Sequence, residues 1–339
     1  MNSSVKGALW GDAWRRFKRN RNALMGFFII TLLIFLGLFA PLIARHDPVK
    51  GELKEHDFPP FWWSGAVSPG SVPRDTGPSR AEPLPGPEEG AGKFGTFSIS
   101  FGDEGGDDEA LRIPEYYYLF GTDDLGRDLF SRVIYGARLS LIIGFVSVGI
   151  SFFFGVGLGL ISGFYGGILD EIIMRSMDIL LSIPYVLLSI LIVAILGPSL
   201  TNAMIAIGIV SIPGFTRITR GSVLTLKESE YVQASRVLGG SDLHIITRHI
   251  LRNSLSPLIV QTSLQFASAI LSAAALGFLG LGAQPPTPEW GAMLADGRTL
   301  LLVSPWAVIF PGLAITLSVI GFNLLGDGLR DALDVRMKD

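Results

Sequence analysis

Long apolar stretches without a charged residue dominate the pattern of this chain. Each can cross a bilayer, because a spanning helix needs about 20 predominantly apolar residues. The longest, Ile179–Thr216, has room for two crossings, and Gly197-Pro198-Ser199 in its middle predicts a turn between them. The pattern therefore predicts six transmembrane helices, within the charge-free stretches Asn22–Ala44, Leu139–Leu169, Ile179–Thr216, Asn253–Pro288 and Thr299–Gly326.

Composition favours a membrane protein over a soluble helical one. Hydrophobic residues make up 49% of the chain and charged residues 17%, against roughly 25% charged residues in soluble domains. A soluble helical protein would show polar faces at helical spacing, and these stretches are apolar all round. Basic residues precede the first stretch, as in a signal peptide, but its apolar run exceeds the roughly 7–15 residues of such a signal. We expect a retained anchor.

The distribution of Lys and Arg predicts the orientation. Residues 1–23 hold six Lys/Arg and one acidic residue, and residues 217–252 hold six Lys/Arg and three acidic residues. Lys and Arg accumulate in cytoplasmic loops, and an even number of predicted crossings separates these two segments. Both segments are therefore predicted to be cytoplasmic, as is the C-terminus after the sixth helix.

The predicted fold class is an all-α polytopic membrane protein with one long outer loop. This loop holds nine Lys/Arg against 17 Asp/Glu, and its middle is rich in Pro, Gly and Ser. Such a composition buries too little apolar surface to offset ordering entropy, so the insertion at 48–112 is expected to be extended or partly disordered.

The predicted boundaries are a cytoplasmic N-terminus at 1–23, a first transmembrane helix at 24–44, an extracytoplasmic loop at 45–137, a core of five transmembrane helices at 138–328 with a cytoplasmic loop at 217–253, and a cytoplasmic C-terminus at 329–339.

Residues 230–253 of the cytoplasmic loop have the pattern of two short helices joined by a tight turn. Gly239 or Gly240 can take the left-handed conformation that ends the first helix, and Ser241 is a good N-cap for the second. Each helix has one apolar face at helical spacing, which must be buried against the membrane interface or a protein partner. The two faces are Tyr231, Ala234 and Leu238 in the first helix, and Leu243, Ile246 and Ile250 in the second.

This loop resembles the EAA signature of ABC importer permeases. The matching residues are Gln233-Ala-Ser-x3-Gly239, followed by Ile250. Other segments resemble the "C"-type subunit of the dipeptide/oligopeptide (and nickel) permease branch of that family. They lie at 121–128 (Gly-Thr-Asp-Asp-Leu-Gly-Arg-Asp), at 275–291 and at 326–334. The resemblance covers nearly the whole chain from Phe120 onward, together with the basic N-terminus and the first span.

The resemblance implies the six-helix type I, MetI-like fold, with the loop as a coupling helix that docks on an ATPase subunit. Three positions depart from the signature: Gln233 replaces its glutamate, Ser235 its second alanine and Arg252 its proline. These departures put in doubt any contact that needs the glutamate's charge. The implied ATPase-docking residues are Tyr231, Gln233, Ala234, Ser235, Gly239, Ser241, Leu243, Ile246 and Ile250.

The family also implies partners and a location. The partners are a second homologous permease in a heterodimer, two ATP-binding cassette ATPases, an extracytoplasmic binding protein and the lipid bilayer, with no nucleic acid. ATP and Mg would be bound by the ATPases, so no cofactor is expected in this chain. The location is the bacterial cytoplasmic membrane, and the cargo is di- or oligopeptides, with nickel or small sugars as alternatives. The insertion would adapt the mouth to the binding protein or serve as a passive spacer.

Two outer segments are candidate sites on the same basis. Asp123, Asp124, Arg127 and Asp128 form either a capped turn, in which Thr122 or Asp123 caps the following helix, or an elbow at the docking surface of the binding protein. Residues of the Pro-rich segment after the fifth span are candidates for the external gate, although the tryptophan there could equally anchor the chain at the membrane interface, as is expected of Trp306. The gate candidates are Gln284, Glu289 and Trp290.

Catalysis and metal binding have no sequence support. The chain has no cysteine and no P-loop, zinc-protease or nucleophile-elbow motif. His244 and His249 are five residues apart, which places them on different faces of an α-helix. The predicted spans hold no deep ionisable residue, which argues against an ion-coupled carrier; a scaffold or receptor is the other alternative. Gly155, Gly159 and Gly163 form a small-residue seam, for packing within the subunit or against a partner or moving helix.

Overall fold

The computed structural model describes residues 15–51, 56–62 and 118–333. Most of the acidic insertion lies outside these residues. Within them the regular structure is helical, with one isolated bridge between Thr122 and Asp128. Residues 15–19 are helical, and the helices that follow are α1 Arg21–Leu38, α2 Ala40–Ile43, α3 Leu129–Tyr165, α4 Gly167–Ser182, α5 Tyr185–Leu196, α6 Leu200–Lys227, α7 Glu230–Val237, α8 Asp242–His244, α9 Leu255–Phe278, α10 Trp290–Gly297 and α11 Trp306–Leu333, with a π-helical turn at Ile245–Leu251 and a 3₁₀ turn at Arg298–Leu300.

Five helices in the described part of the chain are long and apolar enough to cross a membrane: α1, α3, α6, α9 and α11. A sixth crossing results if α4 and α5, which meet at a bend of 92°, form one span. This span would be the third crossing along the chain. Two boundaries differ from the prediction. Helix α3 begins at Leu129, inside the segment assigned to the outer loop, and α6 continues to Lys227, inside the segment assigned to the cytoplasmic loop.

The bend in the third crossing has a local cause. Ile183 is extended, with φ −99° and ψ 133°, as expected before a proline, because the proline ring disfavours the helical conformation of the preceding residue. The predicted turn after this crossing is present. Gly197 ends α5 with φ 93°, and the Ser199 hydroxyl accepts a hydrogen bond from the backbone N–H of Asn202 at the start of α6.

Helix α3 packs along α6 through the predicted glycine seam. A Cβ on Gly155, Gly159 or Gly163 would collide with α6, at the Ile212 carbonyl, the Thr216 carbonyl and the Val223 side chain respectively. Because glycine has no side chain, the two backbones approach closely at each of these positions. The seam therefore serves packing within the subunit, the first of the two interpretations of the sequence.

Candidate functional site

Two sites lie at opposite ends of the 37-residue helix α3. The helix pair (α7, α8 and the π-helical turn, residues 230–251) packs near its C-terminal end, where Phe164 shares a cluster with Val223 and Val232. The elbow (residues 121–132) forms its N-terminal end. At 1.5 Å per residue, α3 separates the two by about 55 Å.

The turn of the helix pair forms as the sequence predicts. Helix α7 ends before Gly239, whose φ of +82° lies in the left-handed region, where a Cβ is unfavourable. Ser241 then caps α8, because its hydroxyl accepts a hydrogen bond from the backbone N–H of His244 at 3.4 Å.

The second half of the pair corrects the predicted apolar face. Residues 245–251 form a π-helical turn, in which residues five apart lie on the same side. Ile245 and Ile250 are therefore both fully buried, whereas Leu243 is 72% exposed. The same geometry corrects the prediction for the two histidines, since the rings of His244 and His249 lie 5.7 Å apart.

The first half of the pair also buries a different residue from those predicted. Val232 is fully buried in a cluster with Phe164, while the predicted face of Tyr231, Ala234 and Leu238 is exposed. The Gln233 side chain is exposed as well and donates to the Glu228 carbonyl at 3.2 Å. The pair is thus held to the spans by a few residues and leaves most of its surface uncovered.

An apolar tip stands at the turn of the helix pair. It consists of Val237, Leu238 and Leu243, which are 86%, 87% and 72% exposed. Three large apolar side chains around one tight turn are the type of exposed patch that marks an interaction site. Leu238 and Leu243 belong to the two apolar faces predicted from the sequence, whereas Val237 was not predicted because it lies off the helical repeat of the first face.

Ion pairs that the sequence analysis missed join α4 to α6 near the helix pair. The Arg220 guanidinium donates to both carboxylate oxygens of Asp170 at 2.6 Å, and the Ser162 hydroxyl donates to the same carboxylate. Arg217 and Asp178 form a more exposed pair at 2.7 Å. Residues 50 positions apart give no local signal in the sequence, so only the structure brings them together.

The elbow corrects the predicted cap of α3. Asp128, rather than Thr122 or Asp123, is the N-cap, and its carboxylate accepts hydrogen bonds from the backbone N–H groups of Phe130 and Ser131. The Ser131 hydroxyl donates to the same carboxylate. The helix begins at Leu129, so the residue before it is the N-cap. The first polar residues of the motif lie outside the helix.

Asp123 has a different role, as the centre of a buried charged turn. It accepts from the backbone N–H groups of Leu125 and Arg127, and its carboxylate pairs with the Arg127 side chain at 2.6 Å. Arg132 lies 3.5 Å from the same carboxylate. Asp124 is the exposed member of the motif; partial burial, and next the Asp123 charge, raise its pKa above the ordinary value. Three of the four predicted elbow residues are therefore buried in the turn itself.

The candidate gate residues divide into one exposed and two buried side chains. Gln284 is exposed and donates to the carbonyls of Gly280 and Gly282. Glu289 is buried and caps α10 by accepting from the backbone N–H groups of Gly291 and Ala292. Burial raises the pKa of Glu289 above its usual value, and the two backbone hydrogen bonds oppose that shift.

Neither tryptophan is an anchor at the membrane interface. Trp290 is 1% exposed and donates its indole N–H to the Val133 carbonyl, beside Gly136. Trp306 is 5% exposed and donates to the Thr122 carbonyl in the elbow. Both join the outer segments to α3, and the anchor interpretation of the sequence is wrong for both.

The helical fold and the apolar spans are those of a polytopic membrane protein. A family described as "Binding-protein-dependent transport system inner membrane component" matches residues 155–339, and the "N-terminal TM domain of oligopeptide transport permease C" matches residues 8–60. The chain belongs to this family of inner-membrane permeases, which serve bacterial ABC importers. The resemblance seen in the sequence and the predicted fold class are confirmed.

Similar proteins cover nearly the whole length of the chain. The dipeptide transport system permease protein DppC of Alkalihalophilus pseudofirmus is 45% identical, over 97% of this chain and 90% of that protein. The di/tripeptide transport system permease protein DppC of Pseudomonas aeruginosa is 45% identical over 97% and 92%. A chain of the inward-facing MetNI methionine ABC transporter covers 61% of this chain and 98% of its own, at 18% identity and a TM-score of 0.49. The relatives are named as transport permeases, so this chain is a transport subunit and not an enzyme.

Proposed function

We propose that this chain forms half of the membrane pathway through which an ATP-driven importer takes up di- or oligopeptides. The names of its full-length relatives, a dipeptide and a di/tripeptide permease, support peptides as the cargo. The observation that carries the ATP-driven mechanism is the apolar tip, an exposed patch on a helix pair that is held to the spans by Val232, Ile245 and Ile250.

The tip is the proposed contact with the ATPase. Its three side chains would fill a groove of the partner, and the exposed docking residues named from the sequence would surround them. Ile250 is buried and would support the pair from inside. Force received there would pass to the spans through Val232, Ile245 and Ile250, which are fully buried and packed with Phe164 of α3 and Val223 of α6. ATP and Mg would bind to the two ATPase subunits.

The proposed orientation places the helix pair and both termini in the cytoplasm. It follows from the excess of Lys and Arg at residues 1–23 and 217–252. The elbow then faces the opposite compartment, where a binding protein would deliver the peptide. Asp124 is the elbow residue exposed for such a contact, with the other three supporting the turn from inside.

The second permease and the gate complete the proposed assembly. Helices α4 and α5 leave large apolar side chains exposed, among them Ile168, Ile179 and Ile195, which a homologous permease or lipid would cover. The gate would lie at the turn from Gln284 to Trp290. Gln284 would contact cargo there, while Glu289 and Trp290 hold the turn in place from their buried positions.

The test is a charge placed on the tip in the reconstituted importer. We expect Leu238→Asp to abolish copurification of the ATPases and ATP-dependent dipeptide uptake, because a carboxylate would be desolvated in an apolar groove. Leu302→Asp is the matched control, since Leu302 is 96% exposed in the loop between α10 and α11, at the elbow end of the molecule.

Loss of uptake with both substitutions, or with neither, would contradict the docking role of the tip. The same assay identifies the cargo and the energy source. Uptake of nickel or a sugar in place of dipeptides would overturn the peptide assignment. Dipeptide uptake that continues without ATP and follows an ion gradient would instead indicate a secondary carrier.

A further inference from the structure

Helix α9 carries a polar stripe, defined by Gln261, Gln265, Ser268 and Ser272. The spacing of four, three and four residues places these side chains on one face of an α-helix. All four are exposed or half-buried. The exposed positions of the other spans are mainly large and apolar, as with Phe28 of α1 and Phe153 of α3. A polar face of this kind is costly against lipid, which offers no hydrogen bonds.

The two glutamines of the stripe reach toward α6. The Gln265 amide donates to the Ser211 hydroxyl at 2.7 Å, and this hydroxyl lies 3.0 Å from the Tyr185 hydroxyl of α5. The Gln261 amide nitrogen lies against Gly214, within 3.5 Å of where a Cβ would stand. Within the part of the chain that the structure describes, no hydrogen bond is formed by the Gln261 amide. Among the same described residues, the Gln265 side-chain oxygen accepts no hydrogen bond.

The network lies beside the break in the third crossing. Tyr185 is the first residue of α5, directly after the bend at Ile183 and Pro184, and both of these residues are exposed. Ser211 and Gln265 lie near the middle of their helices. Non-helical backbone at membrane depth is tolerated where it is buried in protein or lines a water-filled cavity. The break and the stripe lie on the same side of the subunit, because the Ser211 hydroxyl contacts both Tyr185 after the break and Gln265 of the stripe.

We propose that Tyr185, Gln261 and Gln265, two of which are joined by the buried Ser211 hydroxyl, form a peptide-binding surface on the wall of the pathway, halfway across the membrane. The inference rests on the proposed peptide import. Amide side chains donate and accept hydrogen bonds, as peptide groups of the cargo do. None of the four residues is charged, so the surface binds the backbone of the cargo and discriminates little among its side chains.

Thiol accessibility tests whether the surface faces water. The chain has no cysteine, so Gln261→Cys and Gln265→Cys each introduce a single thiol. In the full complex in nanodiscs, a charged methanethiosulfonate reagent is expected to modify both about tenfold faster than Leu271→Cys, because the reactive thiolate forms in water and not in an apolar environment. Leu271 is the matched control, 54% exposed on the same helix and apolar.

Dialanine with its binding protein and ATP is expected to slow modification of Gln265→Cys. Equal, slow modification of all three thiols would overturn the proposal, because the stripe would then face lipid or the second permease. Fast modification without protection by peptide would overturn the peptide contact. Failure of the unsubstituted complex to import dialanine would refute peptide import itself, and is therefore a separate result.

Uptake kinetics test the binding role. We expect Gln265→Leu to raise the KM for dipeptide uptake about tenfold, as for the loss of one hydrogen bond that leaves its partner unpaired, with ATPase activity retained. Leu271→Ala is expected to leave the KM unchanged. An unchanged KM for both Gln265→Leu and Gln261→Leu would overturn the proposal, and so would a loss of folded complex that Gln265→Asn does not restore.

Discussion

Asp128 fixes the start of α3 by satisfying backbone groups that have no partner within the helix. Its carboxylate accepts from two N–H groups of the first turn of α3 and from the Ser131 hydroxyl. The residue is 4% exposed, so water cannot replace the cap when it is lost. At this scale a single buried carboxylate links the elbow to the membrane helix.

Removal of this cap is expected to lower stability by a measurable amount. Asp128→Ala should reduce the free energy of unfolding by about 1–2 kcal/mol, the usual effect of deleting an N-cap. Asp128→Asn should retain most of it, because asparagine caps as well as aspartate. Thermal unfolding of the purified complex measures both, and equal stability of Asp128→Ala and the unsubstituted protein would contradict the assignment of the cap.

The raised pKa of Glu289 makes the stability of the folded protein depend on pH. Burial raises its pKa in the folded state above 4.5, so its protonated form is favoured by folding. The stability that Glu289 contributes is therefore highest below pH 4.5 and falls as the pH rises through the raised pKa. The difference in unfolding temperature between the unsubstituted protein and Glu289→Gln should therefore decrease as the pH rises from 4.5 through the raised pKa of Glu289. A difference that is constant or increases with pH would contradict the shift.

At the scale of elements, the contact between α3 and α6 depends on the absence of side chains on one face of α3. A Cβ on Gly159 would collide with the Thr216 carbonyl and the Thr219 side chain. The two helices also carry the buried residues that hold the helix pair, Phe164 on α3 and Val223 on α6. Their spacing therefore determines where the helix pair lies.

Filling this seam is expected to separate the helices. Gly159→Leu should cost about 1–3 kcal/mol or more through overpacking and weaken copurification of the ATPases, because the helix pair loses its support. Gly157→Leu is the matched control, since a Cβ at Gly157 of the same helix meets no atom within 4 Å. Equal yields and unfolding temperatures for the two variants would contradict the role of the seam.

At the scale of the whole molecule, the pair of Asp170 and Arg220 joins the bent third crossing to the helix that leads into the helix pair. The ion pair is bidentate, and the Ser162 hydroxyl of α3 also donates to the Asp170 carboxylate. Motion received at the helix pair would therefore reach α4, α6 and α3 together, on the side that carries the exposed apolar residues of α4.

A double substitution tests this connection. Asp170→Asn and Arg220→Gln should each lower uptake per ATP hydrolysed, because α4 is then released from α6. Their effects on unfolding should be non-additive, with a coupling energy of about 1–3 kcal/mol in a double-mutant cycle. Additive effects, or full uptake in both single variants, would show that the ion pair does not couple these elements.

The sequence by itself determined the features that depend on local chemistry. Apolar stretches predicted the spans, because a helix that crosses a bilayer needs about 20 predominantly apolar residues. The turn at Gly197, the left-handed Gly239 and the cap at Ser241 followed from the backbone preferences of single residues. The signature in residues 233–250 identified the family, and with it the class of function.

Only the tertiary structure decided the features that depend on distant residues. Which face of the helix pair is buried depends on a π-helical turn that packs Ile245 and Ile250 against α3 and α6. The ion pair of Asp170 and Arg220 joins residues 50 positions apart. The hydrogen-bond network of the polar stripe of α9 includes Ser211 and Tyr185, which lie on other helices. The physical reason is that the pattern of a single helix specifies its period and its length. The partner of each face is fixed only when the helices pack.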